Sequence, residues 1–384
     1  MGRPDQPGEG RLSDTEPEHG TDSQHGALDG AGDLGHAVRG TECGPDRRAE
    51  RGRTLPELTE GTAVRLVSYF GPDDAGSGIV VGDRVIPLVE YAGFDVDPHA
   101  LDDLRRRAAA LTGAEGLAID DLELVTPVIA PGKVVCVGLN YREHASEGGR
   151  PLPTKPLLFS KFANALVADG QPIVRPEGTH ALDLEVELGV VIGTMAHRVS
   201  RADALDHVAG YVVLNDVSAR DWQGVPAALA EGETGDGQWL RAKGSDTFLP
   251  MSSVLVTTDE IPDPQNLHIR SWRIPGSGPD AGTEVLMQDA TTADMIWGVA
   301  ELIEYISRSV TLDPGDVIAT GTPSGVGVFR DPPVYLEPGD RVRCEIDGIG
   351  SVENPVIDWF EDIDDADVVE LVGDFELDDL IGRP

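Results

Sequence analysis

A chain of 384 residues with 68 acidic side chains against 30 basic ones carries a formal net charge of −38. Such a surface repels nucleic acid and anionic membranes, so neither is expected as a partner. Hydrophobic residues make up 40% of the chain, ample for a large core, yet no run reaches the roughly 18 apolar residues of a membrane span.

The N-terminal residues lack the basic and then apolar pattern of an export signal. The cysteines Cys43, Cys136 and Cys344 are too widely spaced for a zinc motif, so free thiols in the reducing cytoplasm are expected. The acidic excess runs along the whole chain, which predicts an organism with a salt-rich interior, where a Debye length of about 3 Å at 1 M screens self-repulsion.

Residues 1–61 are rich in Gly, Pro and charge with no hydrophobic periodicity, and read as a disordered extension. Val64–Phe70, Gly78–Val81 and Arg84–Leu88 read as short strands, and 99–112 as a helix with Leu101, Leu104, Ala108 and Leu111 on one face. Residues 62–127 therefore form a small N-terminal α+β domain. A second, larger domain over 128–358 follows, and 359–384 read as an acidic C-terminal tail.

The second domain holds the polar constellations. In 142–149 a short helix would put His144 and Glu147 at i and i+3, where the carboxylate could orient the imidazole and raise its basicity; an incidental pair on a surface turn is the alternative, and the one an isolated HxxE favours. The glycines and prolines that follow read as a loop able to move over a site. The stretch Asp183–Gly193 alternates acid and apolar residues and then turns wholly apolar, the pattern of one continuous strand entering a core.

Three carboxylates on one face at ~7 Å spacing repel one another. A hard divalent cation relieves that repulsion, and a solvated strand end is the alternative. Tyr211–Leu214 is a buried strand that delivers Asp216, as a further oxygen ligand or a helix N-cap, with Arg220 and Gln223 at helical spacing behind it.

Residues 224–238 read as a polar, Gly- and Ala-rich insertion. Lys243 is one of four lysines in a chain that otherwise uses arginine, which suggests a need for a compact ammonium. Residues 265–273 and 284–288 read as paired strands and 292–309 as a helix with Met295, Val299, Leu302, Ile303 and Ile306 on its apolar stripe. In 314–327 a strand leads into a glycine-rich loop that is no P-loop, although its N–H groups could hold a carboxylate or an oxyanion.

Taken in order, several motifs resemble the fumarylacetoacetate hydrolase superfamily. They are Asn140–His144 with Glu147, Glu185–Leu188, Asn215–Asp221, Lys243–Phe248, Gln288 and Gly321–Val326. The resemblance implies an α+β, mostly β fold, a mixed β-sandwich roll with a small N-terminal domain, usually as a homodimer. It implies Mg²⁺, Mn²⁺ or Ca²⁺ held by Glu185, Glu187 and Asp216, with Asp183 outside the ligand set.

It further implies that His144, Glu147 and Lys243 are catalytic and that Arg220, Gln223 and Thr322 contact a small anionic 2-oxo acid. The activity it suggests first is C–C hydrolysis of an acylpyruvate or fumarylpyruvate, as in aromatic-compound catabolism. A hydroxydienoate isomerase, an oxaloacetate-type decarboxylase, a hydratase and a silent binding module are the alternatives.

Overall fold

The computed structural model describes residues 64–71, 75–88 and 116–359. The expected 1–61 extension, the 99–112 helix and nearly all of the acidic tail lie outside these residues. The described chain is mostly β, as expected, and is built on an 11-stranded sheet and a five-stranded sheet.

Hydrophobic periodicity accounts for the centre of the large sheet. Val186–Ile192 and Val208–Asn215 are buried along their whole length, because neighbours cover both faces. They pair antiparallel with Val186 opposite Asn215. Val317–Ala319 flanks the first of them, and Val134–Gly138 runs parallel to Val317–Ala319 and antiparallel to Leu157–Lys161 at the edge.

On the other side Val254–Thr257 joins Val208–Asn215 to Arg65–Phe70, so the N-terminal strands extend the same sheet. The five-stranded sheet carries His268–Ile274 between Val285–Thr291 and Arg341–Ile346, followed by Gly350–Asp358 and Ile173–Arg175. Its strands pack on Val186–Ile192 and Val208–Asn215, and the apolar core lies between the two sheets. Cys136 and Cys344 are free and buried.

Three expectations need correction. The strand over 183–193 is broken: Leu182–Asp183 pairs with Ser218–Ala219, and Val186–Ile192 starts afresh after Leu184–Glu185. At the break, the Glu185 N–H turns to the Asn215 side chain at 2.9 Å instead of a strand partner.

The helix expected over 292–309 spans only Val299–Ser307, preceded by a 3-10 turn at Thr292–Asp294. Met295 is buried, as its periodicity suggested, but through a β-bridge to Tyr141. Asp216, Arg220 and Gln223 do not share a helix face. Ser218–Ala219 is a strand, and the helix is the single turn Arg220–Gln223, whose N-cap is Ala219 and not Asp216.

Candidate active site

The strand register builds the acidic cluster. With Val186 opposite Asn215, the next residue on each side places Asp216 beside Glu185, and the Asp216 N–H donates to the Glu185 carbonyl at 2.9 Å. Glu187 follows Glu185 on the same face. Ligand oxygens of Glu185, Glu187 and Asp216 lie within 4.8 Å of one another, and all three side chains are buried.

Two of the three have cationic partners. Arg220 Nη2 stands 2.6 Å from Glu185 Oε1, and Lys243 Nζ lies 2.8 Å from both Glu185 Oε2 and Asp216 Oδ2. Burial alone would raise the Glu185 carboxyl, but Lys243 and then Arg220 outweigh it and hold it well below the usual carboxylate range. Among the described residues Glu187 accepts a single hydrogen bond, from the Gly321 N–H at 2.8 Å. Burial first, and then the charges of Asp216 and Glu185, push its carboxyl well above the ordinary value.

The four carboxylates Asp183, Glu185, Glu187 and Asp216 thus face three buried cations, Lys161, Lys243 and Arg220, and Glu187 is, among the described residues, the one with no cation beside it. An all-oxygen donor set with one unneutralised member fits a hard divalent cation.

Lys161 is a buried residue of the site that sequence reasoning passed over. Its side chain is 0% exposed, and its Nζ reaches Asp216 Oδ1 at 2.7 Å, Val217 O at 3.0 Å, Phe248 O at 2.7 Å and the Lys243 carbonyl. It therefore fixes the second oxygen of Asp216 and ties together the two segments that carry Asp216 and Lys243. Lysine is scarce in this chain, and that rarity was the signal; it was read only at Lys243.

The expected helix forms over Arg142–Glu147 and brings His144 Nδ1 to 2.7 Å from Glu147 Oε1. The other oxygen of Glu147 accepts the Gly325 N–H at 2.9 Å. With the Nδ1 proton on the Glu147 side, Nε2 of the buried His144 is left as the basic nitrogen.

Three carboxylates are thereby held by the backbone of one glycine-rich loop. Gly321 N–H holds Glu187, Gly325 N–H holds Glu147, and the N–H groups of Gly327 and Val328 hold Asp183 at 2.8 and 3.1 Å. Asp183 also accepts Arg220 Nε at 2.9 Å, so it positions that guanidinium and stays outside the acidic cluster.

Of the expected substrate contacts, Gln223 Oε1 accepts Arg220 Nη1 at 3.1 Å. Thr322 is buried, donates to Val186 O at 2.9 Å and accepts from Gln288 Nε2 at 2.7 Å. Gln288 also accepts the Val186 N–H at 3.0 Å, so it pins the start of the ligand strand to the glycine loop.

His144, Glu185, Glu187, Arg220, Gln223, Lys243 and Thr322 all line one cavity of about 80 Å³, and Asp216 and Glu147 stand directly behind its wall. Phe159, Trp239 and Phe329 give it apolar sides, and Gly224 and Val225 bring the 224–238 insertion to its mouth.

The profile of the fumarylacetoacetate hydrolase C-terminal domain matches residues 133–357, well over half of the chain and all of the strands around this cavity. The chain belongs to this family. Among its relatives, the mitochondrial oxaloacetate tautomerase FAHD2B of Bos taurus is 45% identical over 306 residues, which cover 77% of this chain and 92% of that protein.

Two solved structures share the fold. The 2-hydroxyhepta-2,4-diene-1,7-dioate isomerase of Mycobacterium marinum is 33% identical, with a TM-score of 0.59 over 77% of this chain and 98% of that one. A fumarylacetoacetate hydrolase of Exiguobacterium antarcticum is 30% identical, with a TM-score of 0.60 over 77% and 100%. As a fumarylacetoacetate hydrolase family member this chain is an enzyme, of hydrolase, isomerase or decarboxylase type. No described helix is long and apolar enough to cross a membrane.

Proposed function

We propose that this enzyme moves a proton between carbon and oxygen of a small 2-oxo acid, interconverting keto and enol forms of an oxaloacetate-type substrate. The observation that carries the reading is the His144–Glu147 pair, a buried base whose Nε2 belongs to the same cavity as the acidic cluster. The relatives named oxaloacetate tautomerase support it.

Glu185, Glu187 and Asp216 would hold Mg²⁺ or Mn²⁺, or Ca²⁺, and a cation there supplies positive charge that lowers the cost of an enolate oxygen. The rest of the work falls to the chain's own groups. His144 Nε2 takes the proton from the enol O–H and delivers it to the adjacent carbon, or the reverse, and Glu147 stabilises the imidazolium between the two transfers. Lys243 uses two of its three N–H donors on Glu185 and Asp216, which leaves one for the substrate oxygen. Phe159, Trp239 and Phe329 limit water at the reacting carbon, which favours proton return over hydrolysis.

The C–C hydrolysis expected first from the sequence is the second reading. It uses the same dyad on a water molecule, and the solved hydrolase of this fold favours it. The test is a product assay with Mg²⁺ or Mn²⁺ on oxaloacetate, acylpyruvates and hydroxydienoates. Accelerated loss of enol absorbance without CO₂ or pyruvate supports the proposal. Pyruvate plus a second acid from an acylpyruvate would replace it with hydrolysis, and CO₂ with decarboxylation. A homodimer in the cytoplasm of a salt-rich cell completes the proposal, and sedimentation at high salt tests the assembly.

A further inference from the structure

The cavity has a third cation besides Arg220 and Lys243, namely Arg150. The first two are committed: Arg220 to Asp183 and Glu185, and Lys243 to Glu185 and Asp216. The Arg150 guanidinium has no carboxylate or other side-chain partner among the described residues. Arg175, Arg201, Arg270 and Arg341 each hold a carboxylate at 2.6–2.8 Å, whereas Arg150, exposed where it lines the cavity, is open to a ligand.

The backbone of Arg150 is fixed relative to the dyad. The helix Arg142–Glu147 ends in a Schellman turn, in which Gly149 N–H donates to Ser146 O at 3.0 Å and Arg150 N–H to Ala145 O at 2.9 Å. Gly149 has φ +63°, which glycine adopts without strain. Pro151 then restricts Arg150 itself to extended backbone. The sequence thus runs from the base His144, through its partner Glu147 and a locked turn, to a cation on the same cavity wall.

We propose that Arg150 binds the far carboxylate of the substrate, which makes the preferred class 2-oxo dicarboxylic acids. This rests on the reading above, in which the 2-oxo-carboxylate head sits at the acidic cluster. The walls between the two ends are Phe159, Trp239 and Phe329, and the insertion adds Val225. Of these only the Trp239 indole carries a hydrogen-bond donor, a neutral one, so the exposed and charged Arg150 guanidinium is the stronger partner for a tail carboxylate.

The test compares oxaloacetate with its 4-methyl ester, which keeps the head and neutralises the tail, on the Mn²⁺-loaded full-length enzyme. The wild type should prefer the diacid by roughly tenfold in kcat/KM. Arg150→Gln should bring that ratio close to one through KM rather than kcat, and Arg150→Lys should restore part of it. A wild-type preference retained in Arg150→Gln overturns the proposal.

If the wild type turns over neither compound, the tautomerase reading fails, and Arg150 is then judged by calorimetric Kd values for the same two compounds. A diacid preference lost in Arg150→Gln upholds its role. Equal ratios in the two proteins, or binding of neither compound, reject it.

Discussion

At the scale of single residues, Glu187 is the least compensated group in the site. Its raised carboxyl pKa means that the folded, metal-free enzyme keeps a proton which the unfolded chain releases near the ordinary value of 4.5. The unfolded state therefore binds fewer protons than the folded one in that window, and stability falls as pH rises through it until the folded group ionises. Denaturant titrations of the chelated enzyme across pH should show this decline, and Glu187→Gln should remove it.

The same variant should lose the thermal stabilisation by Mn²⁺ seen in the wild type, where ligand at about 100 Kd contributes about 2.7 kcal/mol. A wild-type Mn²⁺ response in Glu187→Gln would show that the cluster is not the cation site. Lys161 acts in the opposite sense. Lys161→Met leaves Asp216 Oδ1 without its ammonium and takes a donor away from three carbonyls, and should cost about 3–5 kcal/mol in urea unfolding. Lys161→Arg, too large for the pocket, should not rescue it.

At the scale of elements, the glycine loop decides whether the dyad is held. Gly325 has φ +105°, and a Cβ there would lie 2.3 Å from Met287 O. Gly325→Ala must shift the backbone and pull its N–H from Glu147. The expected result is a kcat loss of about 10²-fold, since misplacements of ~1 Å cost that much, with Mn²⁺ affinity retained because Gly321 still holds Glu187. Equal losses in kcat and metal binding would mean that the loop acts as one rigid block.

This is also the scale at which the sequence was most and least legible. Alternation marked Glu185 and Glu187, and the i, i+3 spacing of His144 and Glu147 marked a real helix, because both patterns are local. The break at Leu184–Glu185 was not legible, since it depends on the side chain of Asn215, thirty residues away. The helix over 292–309 was overdrawn for a similar reason: Met295 fits the apolar stripe but is buried through its bridge to Tyr141. The loop N–H groups were recognised as available to an anion, but only the fold shows that the anions are the site's own carboxylates.

At the scale of the whole molecule, the charge of −38 should make stability depend on salt. Screening shortens from about 10 Å at 0.1 M to about 3 Å at 1 M, so Tm should rise over that range of KCl. A flat Tm would remove the case for a salt-rich interior.

Chain division offers a second test. We propose boundaries at 61, 127 and 358, with residues 62–127 as a small domain. Since Arg65–Phe70 pairs with Val254–Thr257, an enzyme starting at residue 128 exposes a hydrophobic edge strand and should be largely insoluble, whereas one starting at residue 62 should stay soluble and active.

The loop over 321–328 has a consequence for how such an enzyme changes over time. Its grip on Glu187, Glu147 and Asp183 is made by peptide N–H groups, which nearly any substitution of a neighbouring side chain leaves in place. The walls that meet the substrate tail come from elsewhere: Arg150 from the turn after the dyad helix, Val225 from the insertion, and Trp239 from the helix Trp239–Gly244. Chemistry and selectivity are thus written in separate parts of the chain. A lineage can exchange one acid for another by altering the rim while the reacting groups stay where they are, and a protein engineer can start from the same division of labour.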